Sequence, residues 1–313
     1  MNALASALSL TGRVLGRGKL SILIYHQVLA AHDPMRPWEP TSSVFDWQMA
    51  LLKRHFMPLA LGEAVQRLSE GNLPANAVCV TFDDGYANNL TIAQPILAKY
   101  GIPATVYVAT AFSHGENMWN DRVIHLFSDP QRQNLRLGDR TVKLGEWEQR
   151  RLMAGRVLAE LKYLPVKDRL KQVAALYRAA NVEEQAPLMM TPDQLRTLSE
   201  AGVEIGAHTV NHPILKVLPE SEQRGEMQQS KADLESWTGK RVHHFAYPNG
   251  VAGKDLDAAT ARYVQESGFS TAVVTNKGTS SRKTSPFLLR RFTPWDRSPL
   301  RFHLRMIHNT VFA

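Results

Sequence analysis

Two adjacent aspartates, Asp83 and Asp84, follow a short apolar run and precede a glycine in the segment Thr81-Phe82-Asp83-Asp84-Gly85. Neighbouring carboxylates repel each other, so a strand end rarely holds such a pair without a cation or a shared proton. A metal ion and a water molecule to be deprotonated would account for both side chains. The structural alternative is a turn whose carboxylates only cap a helix.

A pair of histidines, His208 and His212, complements these carboxylates. Their spacing of four residues places both imidazoles on one side of a helical turn or of a tight loop. Alone, such a pair is more often a solvated surface feature, but this pair follows a predicted strand. Two histidines, one aspartate and a water molecule make a four-ligand zinc site with an open position. The other aspartate then remains free to accept a proton.

The elements that must position these residues alternate between strands and helices. Apolar, β-branched runs predict buried strands at 20–25, 78–82, 104–108, 203–207, 243–247 and 271–275. Amphipathic patterns and capping signals predict helices at 45–55, 61–70, 88–100, 191–201, 220–237 and 255–268. This alternation predicts an α/β domain with a parallel sheet.

Polar residues collect where the predicted strands end. His26, Asp83-Asp84, His208 and the turn Tyr247-Pro248-Asn249-Gly250 all follow a strand directly. The carboxyl ends of the strands converge at one mouth of a parallel barrel, whereas an open sheet converges them only at a switch point. We therefore predict a distorted (β/α) barrel. Residues from about 112 to 188 carry many charges and little strand signal. Predicted helices at 146–161 and 166–179 make them a helical insertion.

Composition limits the class of protein. The 313 residues are 44% apolar and 21% charged, which is typical of a globular protein with a sizeable core. The net charge is +8, but the basic residues are scattered and no patch is interleaved with aromatics, so no nucleic-acid partner is expected. The single cysteine, Cys79, excludes an internal disulfide. No stretch reaches the roughly 18 apolar residues of a membrane span.

Three segments are predicted along the chain. Residues 1–19 form an N-terminal segment that is either a weak amphipathic helix on a membrane surface or a start docked on the domain. Residues 20–298 form the barrel domain, and residues 299–313 form a basic and apolar tail predicted to be a closing helix. Because no basic region precedes a long apolar core, we expect no cleaved signal peptide. The expected location is therefore cytoplasmic, with the inner face of the membrane as an open alternative.

Three segments together resemble the first three motifs of the polysaccharide deacetylase (NodB-homology) family: Thr81–Gly85, His208–His212 and Phe245–Gly250. Tyr25-His26 and its strand resemble the variant found in deacetylases of biofilm exopolysaccharides. The resemblance covers residues from about 20 to 295 and is weakest from 112 to 188. It implies a distorted (β/α) barrel, a divalent metal that is usually zinc, and removal of N-acetyl groups from polymers of N-acetylhexosamines.

The resemblance also implies a role for each matching residue. Asp83 corresponds to the general base, and the metal ligands correspond to Asp84, His208 and His212. His26 is the candidate general acid that protonates the departing amine. A backbone N–H in the turn formed by Tyr247, Pro248 and Asn249 would stabilise the oxyanion.

This chain departs from the family pattern in three places. Ala246 stands where many members have an arginine that pairs with the base, so Arg291 is the candidate replacement and Arg290 the competing one. No clear fourth motif is found, since Trp295-Asp296 have a different order. His303 and His308 lack the usual apolar strand before them and are interpreted as tail residues.

Two other functions stay open at this stage. The same metal site could hydrolyse a different non-peptide C–N amide bond. A carbohydrate-binding or assembly protein with a degenerate site is the alternative from another class, and Ala246 favours it slightly. The presence of both aspartates and both histidines favours the N-deacetylase.

Overall fold

The computed structural model describes residues 16–312. Its strands are β1 Ser21–Tyr25, β2 Met57–Pro58, β3 Ala77–Phe82, β4 Ala104–Val108, β5 Asn134–Leu137, β6 Arg140–Lys143, β7 Glu204–Ala207, β8 His244–Ala246 and β9 Thr271–Val273. Its α-helices are α1 Ser42–His55, α2 Leu61–Glu70, α3 Gln94–Tyr100, α4 Trp119–Leu126, α5 Trp147–Leu161, α6 Val166–Ala180, α7 Pro192–Glu200, α8 Glu220–Thr238, α9 Ala258–Glu266 and α10 Pro299–Phe312. Most of the predicted membrane-surface segment lies outside the described residues.

The main sheet has seven strands, and every pair of neighbouring strands in it is parallel. The order is β1-β3-β4-β7-β8-β9, with β2 paired to β3. Extended residues 289–292 connect its two ends. Leu289 O accepts from Val274 N at 2.8 Å, and Phe292 N donates to Ile22 O at 3.1 Å. This segment curls the sheet into a distorted barrel, so the predicted fold class is confirmed.

Strand residues alternate between the barrel interior and the surface covered by helices, as the pleat requires. One buried cluster fills the interior, and it includes Ile22, Cys79, Tyr107, Ala246, Val273 and Leu289. Their neighbours pack beneath the helices in the largest cluster, which includes Leu23, Val80, Phe82, Phe245 and Phe292. Residues of the closing segment therefore alternate in the same way as those of the strands.

Local signals in the sequence explain where several helices begin and end. Thr191 caps α7 with a reciprocal capping box, and Pro192 occupies its first turn, as predicted. The predicted helix at 88–100 instead begins as a π-helical turn, Asn89–Ala93, before α3. Pro95 near the start of α3 has no N–H to donate to the preceding turn, which favours this irregular bonding.

The helical insertion forms a lobe with its own core. Helices α4, α5 and α6 pack with Leu135 in a separate buried cluster, and the two predicted helices are present. The lobe also contains an antiparallel hairpin of β5 and β6, which the sequence analysis did not predict. Its two-residue turn, Gly138-Asp139, is a hairpin signal, but only Leu135 of the hairpin strands is buried. Such a weak alternation gives little sequence signal.

The predicted closing helix is present as α10, and it packs on the barrel. Phe302, Met306 and Ile307 belong to the main core. His303 is only 2% exposed, and its ring centre lies 4.8 Å from that of His55. His303 therefore lies in the predicted closing helix, but on its buried side. No helix within residues 16–312 has the length and apolarity that a bilayer crossing requires.

The burial of His303 predicts a pH-dependent stability. Burial and the neighbouring His55 lower the pKa of His303 to about 4, below the value of about 6.5 in an unfolded chain. The unfolded chain therefore binds the extra proton between these values. The free energy of unfolding should fall as the pH drops below about 6.5, by up to about 1.4 kcal/mol per pH unit.

Urea denaturation of the parent and of His303→Phe measures this effect. The phenylalanine keeps a ring beside His55 and Phe56 but does not titrate. The parent should lose more stability than the variant between about pH 7 and pH 5. Equal losses in the two proteins would contradict the assignment.

Candidate active site

The carboxyl ends of the parallel strands open into one cleft of about 1100 Å³. His26 after β1, Asp83 and Asp84 after β3, and His208 after β7 all line it. The helical lobe and α10 supply other parts of its wall. The cleft exceeds the roughly 300–1,000 Å³ of a typical small-molecule site. The sequence-predicted residues of three strands thus lie together in a space large enough for an extended ligand.

Asp84, His208 and His212 place three potential ligand atoms within 4.8 Å of one another. The Nε2 atoms of both histidines lie 3.5 Å from Asp84 Oδ1. His208 Nδ1 lies 2.7 Å from Ala246 O, a contact that places the proton on Nδ1 and leaves the Nε2 lone pair facing Asp84. This donor set suits a tetrahedral divalent ion with an open position.

The state of Asp84 supports a cation site. Its Oδ1 is buried and has no hydrogen-bond partner among residues 16–312. Burial raises the pKa of Asp84 to about 7, with His26 opposing the shift and Asp83 adding to it. A buried carboxylate oxygen without a donor is costly unless a cation faces it. The three residues therefore fit a divalent metal.

The candidate metal ligands lie on backbone in an energetically unfavourable conformation. Asp84, Thr209 and His212 have positive φ angles of 75°, 68° and 51°, a conformation that costs energy outside glycine. After them, Gly85 turns the chain at φ 89°, where a Cβ would lie 3.0 Å from a Val108 methyl carbon. Strain of this kind persists only where the surroundings fix the backbone.

Two charged side chains fix the loop between the histidines. Glu226 on α8 accepts the N–H groups of Val210 at 2.8 Å and of Asn211 at 2.9 Å. Arg169 on α6 donates to Asn211 O at 3.4 Å. The lobe therefore contacts the metal-ligand loop directly, a relation that the sequence did not indicate.

Arg169 is held mainly by an aromatic face. Its guanidinium carbon lies 4.7 Å from the centre of the Trp119 ring, and the residue is 2% exposed. Its Nε has no hydrogen-bond partner among the described residues. Burial lowers the pKa of Arg169 to about 10, with Glu226 opposing the shift. Burying a cation with so few hydrogen-bond partners costs stability. Its retention indicates that Arg169 positions the loop between the histidines.

We expect Arg169→Met to weaken divalent-ion binding by about 10- to 100-fold, as loss of groups that orient ligands does elsewhere. The methionine fills space against Trp119 but leaves Asn211 O without its donor. Competition with a metal-binding dye measures the affinity. Lys171→Met on the exposed face of the same helix is the matched control. Unchanged affinity in Arg169→Met would show that the loop is held without it.

Asp83 forms a buried, bidentate ion pair with Arg291. The two guanidinium nitrogens lie 2.7 and 2.8 Å from the two carboxylate oxygens, and Arg291 is completely buried. Burial would raise the pKa of Asp83, but Arg291 and His208 outweigh it and lower that pKa to about 2. Asp83 is therefore ionised at neutral pH.

Arg291 supplies the cation that pairs with Asp83, because Ala246 in the third motif carries no charge. The segment 289–292 closes the barrel, and its alternation turns Arg291 into the interior, 5.5 Å from the centre of the Tyr107 ring. The competing candidate, Arg290, is exposed on the other side. Of the two candidates, only Arg291 thus contacts Asp83.

His26 faces the same cleft as the two aspartates. Its carbonyl accepts from Asn89 Nδ2 at 2.9 Å, which fixes the backbone after β1. Burial alone would lower the pKa of His26, but Asp84, Glu39 and Asp83 outweigh it and raise that pKa. The sequence did not single out Glu39, which lines the cleft and accepts from Gln27 N at 3.3 Å.

The third-motif turn contributes less to the cleft than expected. Asn249 lines it, but the Tyr247 ring packs in the main core and its hydroxyl donates to Phe287 O at 3.0 Å. Pro248 has no N–H to offer. The Tyr247 N–H makes a long bond of 3.4 Å to Val273 O. The backbone amides of Tyr247 and Asn249 are thus the donors that this turn can supply.

Arg36 and Asp121 were missed by the sequence analysis because distant segments bring them to the cleft. Arg36 donates to Asp121 at 2.7 Å, and Tyr86 donates to the other oxygen of the same carboxylate at 2.8 Å. This cluster ties the proline-rich loop and α4 of the lobe to the aspartate motif. His308, interpreted from the sequence as a tail residue, also lines the cleft.

Comparison with known proteins shows matching relatives. A sequence model of the family described as polysaccharide deacetylase matches residues 70–270. A Bacillus subtilis protein named as a polysaccharide deacetylase, YxkH, is 22% identical over 274 residues, covering 87% of this chain and 70% of that protein. A Staphylococcus aureus poly-β-1,6-N-acetyl-D-glucosamine N-deacetylase is 33% identical over 87 residues, covering 28% of this chain and 30% of that protein.

Solved structures show the same fold. The Streptococcus pyogenes deacetylase PplD, in complex with acetate, has a TM-score of 0.63 and 22% identity, covering 92% of this chain and 98% of that one. IcaB from Ammonifex degensii has a TM-score of 0.61 and 17% identity, covering 91% and 97%. Since the family model matches well over half of the residues and the barrel is shared, the chain belongs to the polysaccharide deacetylase family.

Proposed function

We propose that the chain is a divalent-metal-dependent hydrolase that removes N-acetyl groups from a polysaccharide containing N-acetylhexosamines, or from its precursor. The observation that carries the proposal is the cluster of Asp84, His208 and His212 beside the ionised Asp83. The size of the cleft supports an extended substrate. The names of the relatives support the acetylated glycan.

The metal would be held by Asp84, His208 and His212, and two imidazoles with one carboxylate favour zinc. When bound, it supplies Lewis-acid polarisation of the amide carbonyl and makes water at its open position more acidic. The protein holds both histidines neutral for this task, because burial lowers the pKa of His208 and of His212.

Asp83 is the base in this proposal. Its Oδ2 lies 4.0 Å from His208 Nε2, so the carboxylate borders the ligand cluster without belonging to it. Arg291 keeps it ionised and fixes its plane. Asp83 can therefore accept a proton from a water molecule that attacks the acetyl carbon.

His26 is the acid, and the third-motif turn stabilises charge. His26 follows β1, which pairs with β3, and it lines the same cleft as Asp83 and Asp84, so it can donate a proton to the departing sugar amine. The amide of Tyr247 or Asn249 can donate to the oxygen that becomes negative in the tetrahedral transition state. The proposed role of this turn thus depends on its backbone.

The test is acetate release from oligomers of N-acetylglucosamine, together with the metal content of the purified chain. We expect one divalent ion per chain and acetate release that a chelator abolishes and zinc restores. Bound metal without acetate release from any acetylated glycan would overturn the proposal. Release from small non-sugar amides alone would favour the alternative C–N hydrolase.

Substitution of His26 tests the acid separately. We expect His26→Gln to lower acetate release by about 100- to 10,000-fold, the usual contribution of a general acid, with metal content unchanged. His32→Gln, at an exposed position, is the matched control. Full activity in His26→Gln would assign the acid to another residue while leaving the family membership intact.

The hypothesis of a non-catalytic carbohydrate-binding protein loses its main argument. It depended on the missing arginine at position 246, and Arg291 supplies that cation through another part of the fold.

A further inference from the structure

The first described residues meet helix α10 on one side of the molecule. Lys19 Nζ donates to the carbonyl of Thr310 on α10 at 2.9 Å, and Leu20 N donates to Ser280 O at 2.8 Å. Residues 1–32 contain no Asp or Glu, and neither do residues 297–313. Together these stretches carry six Lys and Arg: Arg13, Arg17, Lys19, Arg297, Arg301 and Arg305. These two stretches are therefore basic, and the neighbouring acid Asp296 pairs with Arg305.

Helix α10 has one buried side and one exposed side. The buried side includes Phe302, His303, Met306, Ile307, Asn309 and Thr310. The exposed side includes Leu300, at 49% exposure, and Leu304, at 44%, with Arg301 beside them. Trp295, just before the helix, is 63% exposed. Exposed leucines and arginines on an amphipathic helix, with an exposed tryptophan just before it, are the features of a helix that lies in a membrane interface.

We propose that this terminal face, defined by Trp295, Arg297, Leu300, Arg301 and Leu304, docks on the surface of a bilayer that contains anionic lipids. The arginines are attracted to anionic headgroups, while the leucines and the tryptophan enter the boundary between headgroups and acyl chains. Arg305 is paired with Asp296 and adds no net charge. A purely ionic polymer such as nucleic acid would leave the two leucines in water.

The terminal face lies next to the cleft. Trp295, just before α10, and Arg305, His308 and Asn309 on that helix line the cleft wall. A docked chain would therefore present the cleft mouth near the membrane interface. This part of the inference rests on the proposed function, because it places an acetylated glycan linked to lipid within reach of the site.

Vesicle co-sedimentation tests the docking. We expect the full chain to bind phosphatidylcholine vesicles that contain phosphatidylglycerol, to bind pure phosphatidylcholine weakly, and to lose affinity as salt increases. Arg297→Gln/Arg301→Gln and Leu300→Gln/Leu304→Gln should each bind at least about tenfold more weakly. The matched controls are Arg262→Gln on α9 and Leu152→Gln on α5, which change exposed residues elsewhere.

Acetate release from a soluble oligosaccharide, measured on the same variants, separates docking from catalysis. The variants should keep the parent rate, because their residues lie outside the cleft. Failure to bind phosphatidylglycerol vesicles would overturn the docking even if acetate is released. Binding that survives loss of the leucines and is matched by binding to DNA would assign the face to a polyanion. A dimer that the leucine variant dissociates, without vesicle binding, would assign it to a second copy.

Discussion

Asp83→Asn is expected to lower acetate release by about 100- to 10,000-fold, since asparagine cannot accept the proton from the attacking water. Metal content should stay at the parent level, because Asp83 lies beside the ligand cluster while Asp84 faces both histidines. Initial rates on oligomers of N-acetylglucosamine and elemental analysis of the purified variant provide the two measurements.

Asp84→Asn is the matched control for this substitution. It removes a ligand charge, so metal content and activity should fall together, and added zinc should restore activity only in part. The two neighbouring aspartates would thus give different combinations of metal binding and rate. Asp83→Asn with the parent rate would remove the base assignment, and loss of metal from it would make Asp83 a ligand.

Arg291→Met is expected to destabilise the fold by about 3–5 kcal/mol, the usual cost of removing one partner from a buried ion pair. The methionine leaves the Asp83 carboxylate buried without its cation, and Arg291 itself is completely buried in the barrel. Burial would then raise the pKa of Asp83, which Arg291 now helps to lower to about 2. Residual activity should therefore shift to higher pH.

A double-mutant cycle isolates the pair. In the Asp83→Asn background the side chain at position 83 is neutral, so Arg291→Met should cost less than it does in the parent. Urea denaturation gives the four free energies of unfolding. Arg290→Met, at the neighbouring exposed position, should change stability by no more than about 0.5 kcal/mol. Additive effects of Asp83→Asn and Arg291→Met would contradict a stabilising interaction between them.

The sequence itself determined the fold class and which residues follow the strand ends at the cleft. Parallel strands end at one mouth of a barrel, so residues that directly follow strands come together whatever the details of packing. His26, Asp83, Asp84 and His208 are placed by this rule. The helix boundaries likewise follow from neighbouring residues, as in the capping box of Thr191.

Only the tertiary structure decided which arginine meets Asp83. Arg290 and Arg291 are adjacent in the sequence, and the partner lies 208 residues away from Arg291. The choice depends on segment 289–292 joining β9 to β1, because that pairing fixes which side chain faces the interior. The same holds for Arg169 on the lobe and His308 on α10. Their proximity to the cleft depends on packing between distant segments, for which neighbouring residues carry no signal.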